Sequence, residues 1–157
     1  TALFNSRPPA RQIFEDGLAF DVLSSWGVER DGWTHTETVS ALELAHIFGT
    51  HPSRFVNTVN VVPTFSGISS SIHISFDKAV TLEGVVNALN TSQYLSYENK
   101  VSGPQHWMGQ NLIGVGRLRL DPLGDGVHLW ATADELRALM ARNVIELIKL
   151  ILDEDLL

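Results

Sequence analysis

The 157 residues are 44% hydrophobic, which is enough for one domain with a sizeable core. The net charge is −7 and the basic residues are scattered, which argues against nucleic-acid binding, because that needs a clustered positive face. No apolar run approaches the roughly 20 residues of a membrane span, and the lack of cysteine excludes disulfides, thiolate zinc sites and a cysteine nucleophile. We therefore expect a cytoplasmic protein without nucleic-acid or membrane partners.

The sequence of the first third of the chain predicts an extended arm, an irregular stretch and one helix. The Pro8-Pro9 pair predicts an extended arm over residues 1–12, followed by a short strand near residues 18–22 and a loop over residues 27–32. The chain does not begin with Met, so we expect a piece or a processed form of a longer product.

A helix is predicted over residues 34–48. Thr34 and Glu37 have the spacing of a capping box, in which each satisfies a backbone N–H of the other. Gly49 stands where a left-handed C-terminal cap belongs.

Residues 57–76 predict two strands joined by a sharp bend. Val59 and Val61 belong to the first strand, which must end, bulge or run at a sheet edge at Pro63, because proline has no N–H to donate. In the second strand Ile72 and Ile74 share an apolar face, and His73 lies on the other face.

The remaining pattern predicts helices between locally paired strands. It predicts first a helix over residues 82–89, a strand at 94–97 and a loop to residue 110 that contains Trp107. A strand over 112–120, a turn and a strand over 127–131 follow. The last predicted element is a helix from residue 133 to about residue 152. Thr132 and Glu135 have capping-box spacing before that helix, and Gly114 and Gly116 predict close approach to the strand. The elements indicate an α+β fold with a mainly antiparallel or mixed sheet and helices on one face.

Several motifs follow one another in the order and spacing of a known family. Pro63 precedes the turn Gly67-Ile68-Ser69, residues 116–122 read GRLRLDP, and residues 129–137 read LWATADELR. They resemble the Gly-His-Ser turn, the V-G-R-I-R-x-D-P segment and the L-W-x-x-A-D-N-L-R segment of the aspartate-semialdehyde dehydrogenases. The resemblance extends from about residue 18 to residue 148.

The resemblance is to the C-terminal domain of that family, a glyceraldehyde-3-phosphate dehydrogenase-like domain that carries the subunit interface, the acid/base histidine and substrate-binding side chains. It implies that residues 1–157 form a single dimerisation domain. NADP and the catalytic cysteine belong to the family's N-terminal domain, so NADP is implied only by the resemblance. This chain has no Gly-rich strand-to-helix turn for a dinucleotide, and we expect no cofactor in it.

The family's active positions are occupied here by other residue types. By the resemblance, the acid/base histidine falls on Ile68, the carboxylate-binding arginine on Val61, the phosphate-side lysine on Val39 and a glutamate on Thr36. Asn143 keeps a polar side chain at a cofactor-facing position. An isoleucine cannot transfer a proton and a valine cannot pair with a carboxylate. We expect a charged cleft converted into apolar surface, and no catalysis by the chain as it stands.

Three hypotheses follow for the function. The first is a non-catalytic homodimerisation domain, in which a second copy covers Val59, Ile72 and Ile74, or the opposite face with Arg117 and Arg119, two arginines that alternation places on one strand face. The second is the C-terminal part of a longer NAD(P)-dependent oxidoreductase whose missing domain brings cysteine and nucleotide. The third is a protein that binds a small molecule or an anion in the old cleft.

The histidines and helix carboxylates give no predicted metal or catalytic site. His46 and His51 straddle the end of a helix, and no other ligands have metal-binding spacing along the chain. His73 is the best substitute base, although a surface or interface position suits it better. Glu43 could be catalytic, but a structural role suits a carboxylate on a helix better.

Overall fold

The structure is a computed structural model that describes residues 17–122 and 125–156. The predicted arm lies outside these residues. The described residues divide into two compact units, with the boundary between residues 64 and 65, and the single-domain organisation stays a prediction. No helix in the described ranges is both long and apolar enough to cross a membrane.

The first unit contains a small hairpin and one long helix. Its elements are β1 (Glu29–Arg30), β2 (Trp33–Thr34), α1 (His35–Phe48) and a 3₁₀ turn at Pro52–Arg54. The loop predicted over residues 27–32 is therefore partly strand, and Asp31 and Gly32 close the hairpin with positive φ angles of 52° and 80°. The strand predicted at 18–22 is wrong: Phe20 has φ 64°, a turn conformation that breaks an extended run.

The predicted ends of α1 are confirmed. Thr34 is the N-cap, and both hydrogen bonds of its capping box with Glu37 are present. Gly49 adopts the left-handed conformation at φ 60°, and its N–H bonds carbonyls of the last turn. These local signals determine the ends of a helix without help from distant residues.

The prediction of a bent strand pair is confirmed for the second strand, which is part of β3 (Ile68–Ser75), and is wrong for the first. Residues 57–62 form no strand, and Val61 instead makes an isolated antiparallel bridge with Leu23 through backbone hydrogen bonds of 2.9 and 3.0 Å. The partner lies 38 residues upstream, and alternation along the chain carries no information about so distant a pairing.

The second unit is built on a four-stranded mixed sheet. Its elements are β3 (Ile68–Ser75), α2 (Leu82–Thr91), β4 (Leu95–Glu98), α3 (Pro104–Trp107), β5 (Ile113–Leu120), β6 (Gly126–Ala133), a π-helical segment (Glu135–Ala141) and α4 (Arg142–Asp153). The sheet order is β3-β6-β5-β4, with two antiparallel pairs and a parallel β4–β5 pair. The predicted α+β class with a mixed, mainly antiparallel sheet is confirmed.

The buried side of the sheet is made by alternate residues of β3 and β6. Ile72 lies opposite Leu129 and Ile74 opposite Val127, and directly opposed residues project to the same face. Val127 is fully buried and Leu129 is 6% exposed, so this face carries the core of the unit. His73 lies opposite His128 on the other face.

The two strand glycines allow the close approach that the sequence predicts. A Cβ at Gly114 would overlap the indole of Trp107, and one at Gly116 would overlap the carbonyl of Glu98. Trp107, which was expected in a loop, lies in the short helix α3, and it is only 2% exposed. The indole fills the space that Gly114 leaves open.

Two local expectations in β5 and at the last helix are wrong. A bulge between Gly116 and Arg119 places two residues opposite one, so regular alternation no longer puts Arg117 and Arg119 on a shared face. The last helix is capped by Asp134, whose carboxylate accepts the N–H groups of Leu136 and Arg137, instead of by Thr132. Thr132 is still in β6, and its hydroxyl is used across the sheet.

Candidate functional site

The turn that carries the family resemblance has a glycine with a positive φ angle followed by a half-exposed isoleucine. Gly67 has φ 92°, and a Cβ there would lie 2.6 Å from Cβ of Pro104 and 3.1 Å from the carbonyl oxygen of Ala133. Only glycine suits this combination of dihedral angle and space. Ile68 begins β3 opposite Ala133, and 44% of its side chain is exposed. The expectation that it packs into apolar surface is therefore not met within the described part of this unit.

Two hydroxyl groups hold the turn to the neighbouring strand. Thr132 Oγ1 donates to the carbonyl of Ile68 at 3.1 Å and accepts from Ser69 Oγ at 3.2 Å. Thr132 is 1% exposed. The backbone of Ile68 is thus fixed, but its side chain offers no donor, acceptor or proton to a ligand.

The other substituted positions belong to the first unit. Thr36, Val39 and Glu43 lie along one face of α1, since they are three and four residues apart, with Thr36 and Glu43 exposed and Val39 half-buried. The half-buried Val61 is held by its backbone bridge to Leu23. Neither valine has a polar side-chain atom for a substrate.

Glu37 has a role that the sequence motif shows only in part. Its Oε2 accepts the N–H of Thr34 and its Oε1 accepts the N–H of Val59, both at 2.8 Å. The pKa of Glu37 is lowered, first by the hydrogen bond from Thr34 and then by that from Val59, against burial, which raises it. An ionised carboxylate thus holds residues 57–59 against the start of α1.

A cleft of about 290 Å³ lies beside this carboxylate in the first unit. Its lining is mostly polar and includes Ser25, Trp33, Glu37 and Asn57. Asn57 Nδ2 donates to Ser40 Oγ, and the buried Asn57 Oδ1 has no hydrogen-bond partner among the described residues. Neither Val39 nor Val61 lines this cleft.

In the second unit, Asp134 performs the same task as Glu37. Besides capping the π-helical segment, it accepts the N–H of Gly109 at 2.9 Å. Its pKa is lowered, first by the N–H of Arg137 and then by that of Gly109. Asn143, the position predicted to face a cofactor, is exposed on α4. Nearby, the guanidinium of Arg142 lies 4.6 Å from the ring centroid of Tyr94.

The predicted interface residues of the second unit lie on different faces of its sheet. Ile72 and Ile74 project to the core side of the sheet, where Ile74 is still 39% exposed because β3 is an edge strand. Arg119 lies opposite His128 on the other face. Arg117 is in the bulge with φ 52°, and Val59 belongs to the first unit. Their roles in an interface stay predictions.

One cluster in the second unit brings together possible metal ligands. His73, Asp121 and His128 each offer a ligand atom, and these atoms lie within 4.8 Å of one another. The two imidazoles come from opposed strand positions, and Asp121 directly follows β5. The histidine spacing along the chain gave no hint of this cluster, because antiparallel register and not sequence separation creates it.

Comparison with known proteins places these features in a family. Residues 1–138 match the family described as "Semialdehyde dehydrogenase, dimerisation domain". The aspartate-semialdehyde dehydrogenase of Rickettsia bellii is 30% identical over 152 residues, which are 92% of this chain and 44% of that protein. The "USG-1 protein homolog" of Pseudomonas aeruginosa is 27% identical over 157 residues, which are 96% of this chain and 46% of that protein.

Solved structures agree with the sequence relatives. The crystal structure of aspartate semialdehyde dehydrogenase II from Vibrio cholerae, complexed with ASA, matches with a TM-score of 0.85 and 27% identity, over 96% of this chain and 46% of that one. The probable aspartate-semialdehyde dehydrogenase from Pseudomonas aeruginosa matches with a TM-score of 0.79 and 25% identity, over 96% of this chain and 47% of that one. The chain thus spans less than half of these relatives, in the region that the resemblance assigns to the C-terminal domain. It belongs to the semialdehyde dehydrogenase dimerisation-domain family.

Proposed function

We propose that this chain is a non-catalytic dimerisation domain, in which two copies associate and no semialdehyde dehydrogenase chemistry takes place. The observation that carries the proposal is the turn at Gly67. Its φ of 92° and its crowding against Pro104 and Ala133 support an alignment with the family's Gly-His-Ser turn, because both features demand glycine. The residue that follows is Ile68, which has no proton to exchange.

Two apolar side chains at the edge of the sheet are partly exposed, although they project to the same side as its core. This surface favours a second copy of the chain as the binding partner. Ile74 is 39% and Phe76 38% exposed, and they continue the buried face onto the edge of the sheet. Exposed apolar surface next to a sheet edge is stabilised when another protein covers it. A two-fold contact would let the same surface serve both copies.

Sedimentation velocity across micromolar concentrations tests the association. We expect a concentration-dependent dimer, and a chain that stays monomeric up to about 100 μM, an affinity of about −5.5 kcal/mol at most, would contradict the proposal. The loss of chemistry is tested separately by Ile68→His. We expect no turnover of aspartate semialdehyde with NADP, because the chain has no cysteine nucleophile and because Val39 and Val61 still cannot bind the substrate's anionic groups. Turnover by this variant would contradict the proposal that the chain is non-catalytic.

A second candidate is favoured by the surface of α4. Six apolar side chains of this helix are half or more exposed: Val144, Ile145, Leu147, Ile148, Leu150 and Leu152. A helix that is apolar around much of its circumference is normally covered. Under this alternative the chain is the C-terminal part of a longer NAD(P)-dependent oxidoreductase, and α4 packs against the dinucleotide-binding domain.

The intact mass of the native gene product decides between a separate chain and a longer one. If the product is longer, hydrogen exchange compared between it and this chain should show α4 protected only in the longer form. An Ile148→Lys variant should then lower the thermal stability of the longer protein more than that of this chain. A native product that spans only these residues would end the alternative.

A further inference from the structure

We propose that His73, Asp121 and His128 form a binding site for one divalent transition-metal ion of the Zn²⁺ type. The site lies on the second unit and is independent of the function proposed above. It uses neither the turn at Gly67 nor the surface of α4.

The three side chains are brought together by the strand register. His73 of β3 and His128 of β6 are directly opposed, so both imidazoles rise from the same face of the sheet. Their rings are stacked, with centroids 4.3 Å apart and an interplanar angle of 26°, so the imidazoles would turn about their side-chain torsions to bind one ion together. Asp121 follows β5 immediately, and its N–H bonds the carbonyl of Gly126 at 2.7 Å, which fixes the backbone beneath the carboxylate.

Two of the three distances between ligand atoms match the edges of a tetrahedral metal site, and the third, between the two imidazole nitrogens, is within 4.8 Å. Asp121 Oδ2 lies 3.1 Å from Nε2 of His73 and 3.5 Å from Nε2 of His128. Zinc bonds of about 2.0–2.1 Å at tetrahedral angles place two ligand atoms roughly 3.3 Å apart. Two imidazoles and one carboxylate are a ligand set that zinc accepts, with a fourth position left for water.

The surroundings keep room for the cluster and a path to solvent. A Cβ on Gly126 would lie 2.8 Å from Nε2 of His73, so the lack of a side chain there allows this imidazole to approach. The side chains of His73, His128 and Asp121 are 44%, 31% and 17% exposed, which leaves the site open to an ion. Arg119 is the cross-strand neighbour of His128, and its Nη1 donates to the carbonyl of Arg117, so its charge is tied back along its own strand.

The test titrates the purified chain with ZnCl₂ at pH 7.5 by calorimetry, and with CoCl₂ by absorption spectroscopy. We expect one saturable site per chain, a tetrahedral Co²⁺ spectrum and a rise in melting temperature with added Zn²⁺. His73→Ala, His128→Ala and Asp121→Asn should each weaken Zn²⁺ binding at least tenfold. His46→Ala removes an exposed histidine of α1 outside the cluster and should leave the binding unchanged.

Folding of each variant is checked by circular dichroism without metal. Gly126→Ala is a further probe, because its methyl group would lie 2.8 Å from Nε2 of His73 and 2.9 Å from the carbonyl oxygen of Ile74 without removing any ligand. We expect it to weaken Zn²⁺ binding while the His46→Ala control does not. Zinc binding that is absent in the native sequence, or equally strong in the folded His73→Ala and His128→Ala variants, would overturn the proposal and leave the cluster as a pair of imidazoles around a carboxylate.

Discussion

The carboxylate of Glu37 accepts the backbone N–H of Val59, 22 residues further along the chain, at 2.8 Å. The same carboxylate completes the capping box at the start of α1 through Thr34. The Glu37 carboxylate therefore accepts a backbone N–H at the start of α1 and also one from the segment around Val59, which forms no β-strand. Asp134 does the equivalent in the second unit with Leu136, Arg137 and the distant Gly109.

Replacing Glu37 should cost more than the loss of an ordinary helix cap. Glu37→Ala leaves the N–H groups of Thr34 and Val59 without this acceptor, and Thr34 is 2% exposed. We expect the melting temperature in circular dichroism to fall by several degrees. Glu43→Ala, an exposed change on the same helix, is the matched control and should have little effect. Equal effects of the two changes would contradict the role given to Glu37.

The two carboxylates should also make stability depend on pH in the acid range. The pKa values of Glu37 and Asp134 are lowered in the folded chain, so folding is favoured by their ionised forms. That contribution is complete above the unfolded pKa values of about 4.3 and 3.9, and is lost as the pH falls through the lower folded values.

Urea unfolding between pH 3 and pH 7 measures this dependence. We expect the native chain to lose stability below about pH 4.5, near the unfolded pKa values of these groups. A Glu37→Gln/Asp134→Asn variant should lose less over the same interval, because it has fewer groups to protonate. An unchanged slope would mean that other carboxylates govern the acid transition.

Gly114→Ala should be strongly destabilising. The added methyl group would overlap the buried indole of Trp107, and overpacking of this kind costs about 1–3 kcal/mol. Gly103→Ala is the matched control, because no atom lies within 4 Å of its Cβ position and its φ of −70° suits any residue. Chemical denaturation of both variants checks the difference. A control as unstable as Gly114→Ala would rule out the crowding as the cause.

The choice of sheet surface for the proposed dimer can be tested with one arginine on each side. Ile74→Arg introduces a charge at the exposed apolar edge and should shift the sedimentation profile towards monomer. Ser71→Arg places the same side chain on the opposite face of β3, where Ser71 is exposed, and should leave the dimer intact. Dissociation caused only by Ser71→Arg would move the interface to the face of His73 and Arg119.

The ends of the helices were readable from the sequence because caps are local. Thr34 and Gly49 define the two ends of α1 through contacts within four residues, and the structure has both of them in that role. The prediction that Thr132 caps the last helix is wrong because its hydroxyl donates to the carbonyl of Ile68 across the sheet. Asp134 accepts the N–H groups at the start of that helix instead. Local spacing cannot tell which of two adjacent polar residues the sheet will use.

The sequence by itself determined the α+β class, the caps of α1 and the family, because each rests on the order and type of neighbouring residues. Only the tertiary structure decided that Val61 pairs with Leu23, that Glu37 reaches Val59, and that His73 and His128 meet beside Asp121. Strand register and long-range hydrogen bonds set these contacts, and neither leaves a periodic signal in the chain.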